Sequence, residues 1–346
     1  MKRIGTYLLT VLIITIFIPT VIVKTVNFAP KLNSAEGKGF EDKKIPVIVK
    51  ENDQKEMQEH NVEYITVFNT GNNSVENLLL DEYVKGVVAA EMPAEFHIEA
   101  LKAQAIAART YAISRTIKYS NGHPDHKKSP LCSGIHCQAY LSLEELKLIH
   151  GQEWVDNYWG KIEEAVKSTE NMVIYYKGEI IEPLYHSTSG GMTEDAIDVF
   201  AIDSPYLKSV ISPYEEEAPK YKAVVTLTRE EFVNKLNQKY PEAKISKDNF
   251  LDKIKLVEKT SSGRIKKLAI DDNIINGREI RDIFSLNSTN FKITYDKSLN
   301  LIEIETYGYG HGVGMSQWGA NGMAKNGKSY EEILKHYYTG VNIKKM

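Results

Sequence analysis

Cysteine is nearly absent: only Cys132 and Cys137 occur among 346 residues, too few for a disulfide framework but enough for one clip or part of a metal site. Positive charge is not in excess either. Lys and Arg number 43 against 46 Asp and Glu, a net charge of −3, and no basic cluster stands clear of acidic neighbours, so nucleic acid is excluded as a partner. No repeat or low-complexity block is present, which leaves solenoids and arrays out. What remains is 42% apolar and 26% charged, the balance of a globular chain able to bury one large core or two smaller ones.

Long uncharged runs are also scarce, with one exception. Ile4 to Val23 is twenty residues without a charge, and a helix of that length spans about 30 Å, the thickness of a bilayer core. Lys2 and Arg3 precede it, so the positive-inside rule puts residues 1–3 in the cytoplasm and everything after Lys24 outside. A cleaved signal peptide would need a shorter apolar region and a small-x-small site, and Asn33-Ser34-Ala35 is a poor match. An uncleaved, single-pass anchor at 4–23 is the expectation, followed by a linker at 24–61.

Folded structure is expected from Val62. Ile65–Phe68, a Gly/Asn turn at 70–73 and Ser74–Leu80 read as a β-hairpin. A helix follows with Asp81 as N-cap, carrying Leu80, Val84, Val87, Val88 and Glu91 on one face until Pro93 ends it. A second, alanine-rich helix spans about Ile98–Tyr119, and its small residues permit close packing. Beyond an irregular stretch at 121–138, further helices and a hairpin lead to strands that alternate from about 204 to 305. The expected fold is α+β: an α-rich catalytic core over 62–203, a β-rich inserted lobe over 204–305, and a glycine-rich groove loop with a C-terminal helix over 306–346 completing the core.

Three constellations could carry chemistry. Glu91 lies on an apolar stripe, where an ionised carboxylate is costly unless paired or raised in pKa, the condition of a general acid near neutral pH. A glutamate at a helix end that simply reaches water is the bland alternative. Gln104 and Arg109, one helix later, could orient it, or could be ordinary helix side chains. Two polar glycine-rich segments, Tyr185-His186-Ser187-Thr188-Ser189-Gly190-Gly191 and Tyr309-Gly310-His311-Gly312-Val313-Gly314-Met315-Ser316-Gln317-Trp318-Gly319-Ala320, lack the G-x-G-x-x-G spacing of a dinucleotide cradle. Their hydroxyls, amides and aromatic suit a sugar; tight turns that expose polar groups are the alternative. His126, Cys132, His136 and Cys137 match structural zinc in type, with a Cys132–Cys137 disulfide equally open outside the cell.

These segments together resemble the stage II sporulation protein D family of septal peptidoglycan lytic transglycosylases. The matching stretches are Leu80 to Pro93, ending in Glu91-Met92-Pro93; Leu101 to Ala105 and Arg109 to Ala112; Ser187 to Gly191; and Gly310 to Ala320. The resemblance covers the chain from about 62 to the end. It implies Glu91 as the catalytic residue, and a substrate groove lined by Gln104, Arg109, Tyr185, Ser187, Thr188, Ser189, Gly190, Gly191, His311, Gly312, Gly314, Ser316 and Gln317. It also implies cleavage of the MurNAc–GlcNAc bond with formation of 1,6-anhydroMurNAc during engulfment, at the sporulation septum. The expected company is stage II sporulation proteins P, an amidase, and M, a membrane protein. Zinc at a His/Cys cluster occurs in some members. A non-catalytic peptidoglycan-binding scaffold and a zinc amidase are the rival readings.

Overall fold

The computed structural model describes residues 62–126 and 128–346. The anchor at 4–23 and the linker at 24–61 lie outside them; among the described residues no helix is long and apolar enough to cross a membrane. The architecture mixes helices with five small sheets.

Strands β1 (Tyr64–Asn69) and β2 (Ser74–Leu79) form the antiparallel hairpin. Helix α1 (Leu80–Glu91) starts directly from β2. Asp81 does not cap it: the N-cap is Leu79, and Asp81 lies in the first turn, where its carboxylate accepts from Arg109 instead. Tyr83, Val84, Val87 and Val88 are fully buried, each valine contributing roughly 1.5–3 kcal/mol of transfer free energy. Gly86 allows close approach, since a Cβ there would lie 2.4 Å from the Leu141 carbonyl oxygen; Gly86→Ala would force the helix off its neighbour. Met92 is extended, as a residue before proline must be, and ends the helix.

Helix α2 (Ile98–Lys118) is buried on nearly every side along its alanine-rich middle. Its small side chains let α1 and several later elements approach at once. A two-residue strand, β3 (Leu131–Cys132), then pairs parallel to β1 inside the stretch expected to be irregular. Helix α3 (Leu143–His150) opens with a Ser142/Glu145 capping box. Short α4 (Gln152–Trp154) continues through a π-helical turn (Val155–Trp159) into α5 (Gly160–Ser168). Strands β4 (Met172–Tyr176) and β5 (Glu179–Ile180) form the next hairpin, and β6 (Tyr185–His186) and helix α6 (Ala196–Phe200) follow.

The inserted lobe has its own apolar cluster, drawn from residues between Phe232 and Ile304. Its elements are β7 (Lys222–Thr228), α7 (Arg229–Lys239), α8 (Phe250–Lys253), β8 (Ile254–Lys259), β9 (Ile265–Ile270), β10 (Asn273–Asn276), α9 (Gly277–Ile283), β11 (Phe291–Asp296) and β12 (Leu301–Tyr307). They make two three-stranded antiparallel sheets, β11-β12-β7 and β10-β9-β8. The stretch before Lys222 differs from the expected lobe boundary at 204: Leu207 belongs to the main cluster, and Val210 pairs with Thr193 of the core. The chain then returns to the core through β13 (Met315–Ser316), which pairs parallel to β6, and through α10 (Gln317–Lys325), α11 (Tyr330–Tyr337) and β14 (Asn342–Lys345). Helices α10 and α11 pack on α2, which brings the chain's end against its first helices.

Candidate active site

Glu91 is the last residue of α1 and faces a cleft of about 350 Å³ lined also by Tyr111, Ile135, Cys137, Pro183 to Ser187, Tyr309 to His311 and Gln317. Two donors hold its carboxylate: the Ala139 backbone N–H at 2.7 Å on Oε1 and Gln317 Nε2 at 3.1 Å on Oε2. Burial pushes its pKa above the ordinary carboxylate value, and these hydrogen bonds only partly offset that. A helix-end glutamate reaching freely into water would show neither feature. Gln317 is placed by the N-cap of α10, where Ser316 Oγ accepts from Gly319 N. Beside them, Tyr185 Oη donates to Gln138 Oε1 at 2.6 Å, and Gln138 Nε2 donates to Tyr83 Oη and the Ala108 carbonyl. Sequence reasoning passed over Gln138, whose burial and position next to Ala139 fix the loop that holds Glu91.

The two glycine-rich segments meet: Thr188 and Tyr309 exchange both backbone hydrogen bonds, and Trp318 N donates to the Ser187 carbonyl. Gly310, at φ +112°, leaves 3.0 Å between a would-be Cβ and His186 Cβ, so a side chain there would be both crowded and strained. His311 Nδ1 accepts from Val313 N. Burial lowers its pKa to about 4 against a raising bond to the Tyr185 backbone, with Arg264, Arg281 and Arg278 lowering it further. His186, fully buried, is lowered well below its usual value by the same cause and directs Nδ1 at the Val313 carbonyl. Both imidazoles are neutral at physiological pH.

Several residues expected in the groove are instead spent inside the protein. Arg109 is 0% exposed and donates to Asp81 and to the carbonyls of Thr169, Met172 and Val166, tying α2 to α1 and α5. Gln104 is also 0% exposed and does not line the cleft. Ser189, Gly190 and Gly191 surround a carboxylate of the protein itself: Glu215 accepts from Ser189 N, Ser189 Oγ, Gly190 N, Gly191 N and Ser212 Oγ, at 2.6–3.2 Å. Gly312 packs flat on Arg264 of the lobe, where a Cβ would lie 2.7 Å from Cζ, and Gly314 packs on the Leu184 carbonyl. Thr188 is buried in the bridge to Tyr309, and Ser316 serves as the α10 cap. Tyr185, Ser187, His311 and Gln317 do share the cleft with Glu91.

His126, Cys132, His136 and Cys137 bring one donor atom each to within 4.8 Å of one another. Cys137 Sγ lies 3.4 Å from His126 Nε2 and 3.7 Å from His136 Nδ1, close to the roughly 3.4–3.8 Å between ligands of tetrahedral zinc. The far nitrogens are engaged as metal-bound histidines require: His126 Nδ1 with the Ser129 carbonyl at 2.9 Å, His136 Nε2 with Asp125 at 3.0 Å. The thiols are free; contact with Cys137 lowers the Cys132 pKa, and the same contact raises that of Cys137. The four side chains therefore fit a structural zinc ion.

Among the described residues that line the cleft, Glu91 is the sole carboxylate, which defines a one-acid site on a mixed α/β scaffold. A family model described as Stage II sporulation protein matches residues 69–176, and one described as a domain of unknown function matches 194–314. The ends of the latter meet in space, where Glu194 N donates to the Gly312 carbonyl. The chain is 41% identical over 283 residues to Stage II sporulation protein D of Bacillus subtilis (strain 168), spanning 81% of this chain and 78% of that protein. Identity to Stage II sporulation protein D of Bacillus amyloliquefaciens is 40% over 280 residues, at the same coverage. It is 29% identical to the Amidase enhancer of Bacillus subtilis (strain 168), over 75% of this chain and 40% of that protein. The chain belongs to the stage II sporulation protein D family, which acts in sporulation and is linked to cell-wall degradation.

Proposed function

We propose that the protein is a lytic transglycosylase that cleaves the MurNAc–GlcNAc bond of peptidoglycan in septal wall thinning, with Glu91 as the acid and the base. The observation that carries this reading is the solitary, partly buried Glu91 of the cleft, held by two donors and raised in pKa. Hydrolytic glycosidases need a second carboxylate to attack or to activate water. A transglycosylase does not: protonated Glu91 gives its proton to the glycosidic oxygen, then as carboxylate takes one from the C6 hydroxyl of the same muramic residue. That oxygen closes on C1, the 1,6-anhydro ring forms, and no water is consumed. Gln317 and the Ala139 N–H keep the carboxylate aimed through both steps.

Zinc at His126, Cys132, His136 and Cys137 would be structural, since four protein ligands leave no open position. It would brace the loop whose Ala139 holds Glu91, as Ile135 and Cys137 of that loop line the cleft. The uncharged run at 4–23 would anchor the chain in the membrane with this part outside, at the sporulation septum. The partners we propose are the amidase and membrane protein of the same stage, stage II sporulation proteins P and M; similarity to an amidase enhancer supports the former. The full chain should release soluble fragments from purified glycan strands, and Glu91→Gln should bind the strands without releasing any. Equal release by both would leave a non-catalytic glycan binder as the better reading.

A further inference from the structure

Beside Tyr309 and the His311 loop, which line the cleft, lie cations that are not among its lining residues and that the chemistry above does not use. Tyr309 lines the cleft and is 38% exposed. Lys220 sits with Nζ 4.0 Å from the centre of its ring. Helix α9 supplies Arg278 and Arg281. Its first residue, Gly277, packs so tightly on Ile265 that an added Cβ would lie 2.0 Å from that carbonyl oxygen. Ile265 follows Arg264, the guanidinium beneath Gly312, so the start of α9 is fixed beside the His311 loop. Arg281 Nε donates to the Leu286 carbonyl, and neighbouring Asn287 accepts from Gly310 N of the cleft. Arg281 and Arg278 help to lower the His311 pKa, and Tyr309 acts in turn on the Arg281 guanidinium.

Among the described residues neither Lys220 nor Arg278 forms an ion pair, although both are exposed in a chain rich in such pairs. The acids nearby are otherwise placed: Glu215 is sealed under the Ser189 loop, Glu217 pairs with Lys325 and Glu279 accepts from Tyr240. Glu216, exposed next to them, and Asp282 on α9 temper the patch without occupying these two cations. Gathering like charges costs free energy that an anionic ligand would recover.

We propose that Lys220, Arg278 and Arg281 form a carboxylate-binding rim, by which the inserted lobe and the segment leading into it hold an acidic group of the glycan strand while Glu91 attends the bond. The inference rests on the glycan-cleaving reading. The carboxylate is that of the lactyl ether on the muramic sugar or one belonging to a stem peptide.

Binding of the full chain in a Glu91→Gln background separates the cases. Its ligands are amidase-trimmed strands, strands with stem peptides, trimmed strands with their carboxylates amidated, and a neutral N-acetylglucosamine oligosaccharide. The rim predicts tighter binding to a carboxylate-bearing strand than to the amidated one. Lys220→Gln with Arg278→Gln should weaken that binding roughly three- to tenfold, the scale of two exposed ion pairs, and leave the neutral oligosaccharide unchanged. Whichever of trimmed or peptide-bearing strands shows the larger loss identifies the carboxylate. Equal binding of charged and amidated strands, or a preference untouched by the double substitution, overturns the rim. Wild-type cleavage is scored separately: cutting without a carboxylate preference refutes the rim alone, and cation-dependent binding without cutting refutes the transglycosylase alone.

Discussion

Glu91 and Glu215 are both held by the polar loops of this core, yet their surroundings are opposite. Glu215 is 1% exposed and accepts five hydrogen bonds, three of them from backbone N–H groups of the Ser189–Gly191 loop. Ser212, which donates to it, is in turn within 2.7 Å of the Tyr337 hydroxyl of α11. Glu91 has two donors and an open cleft. A carboxylate surrounded by donors is a fastener, because every lone pair is satisfied and nothing else can reach it. One with few donors and an approach for ligand keeps its proton available.

Substitution should sort the two. Glu91→Gln is expected to lower cleavage by about 10³-fold or more, since the proton donor is gone, while the protein keeps its melting temperature or gains. The gain follows because burial raises the native pKa: the ionised form is the disfavoured one in the fold, stability from this group rises as pH falls through that pKa, and a neutral amide removes the penalty at neutral pH. Calorimetry beside an activity assay checks both halves. Glu215→Ala reverses the pattern, leaving buried N–H groups without acceptors at a cost on the order of 3–5 kcal/mol. A chemical denaturation midpoint unchanged from wild type would show that Glu215 fastens nothing.

The His126, Cys132, His136 and Cys137 cluster offers a third case, polar groups whose spacing suits a guest ion. If His126, Cys132, His136 and Cys137 hold zinc, chelation lowers the melting temperature by several degrees, because the free energy of binding to the native state is folding free energy. A disulfide would respond to reductant and ignore the chelator; zinc content by elemental analysis and thiol titration in denaturant decide between them. The smallest effect concerns His186 and His311. Both are held below their unfolded value of 6.5, His311 at about 4, so the unfolded chain binds more protons and stability falls as pH drops from about 6.5 toward 4. His311→Asn, which keeps an acceptor for Val313 N, should flatten that slope when unfolding free energy is measured across the range.

Local pattern made the hairpin, α1, α2 and Glu91 legible, since each depends on neighbours three or four residues away. Glu91 stood out because a charge on an apolar stripe next to Met92-Pro93 is locally anomalous. Arg109 misled for the opposite reason: its partner Asp81 is 28 residues earlier and its acceptor carbonyls lie beyond residue 165, so nothing local distinguishes a buried strut from a ligand-binding arginine. Glu215 was hidden in the acidic run Glu215-Glu216-Glu217, which reads as a solvated face. The available signal was the Ser189-Gly190-Gly191 stretch, a set of converging amides that demands some anion, and the anion proved to be internal. Arg264, likewise unanticipated, shows the limit more plainly: it joins a lobe strand to a core loop across more than forty residues.

The central claim is that Glu91 alone suffices because the substrate supplies its own nucleophile. Digestion of purified glycan strands by the full chain in H₂¹⁸O, followed by mass spectrometry of the new ends, tests it most directly. The account predicts ends in 1,6-anhydro-muramic acid without incorporated label. Hydrolysed reducing ends carrying ¹⁸O would contradict it and require a water-activating group besides Glu91.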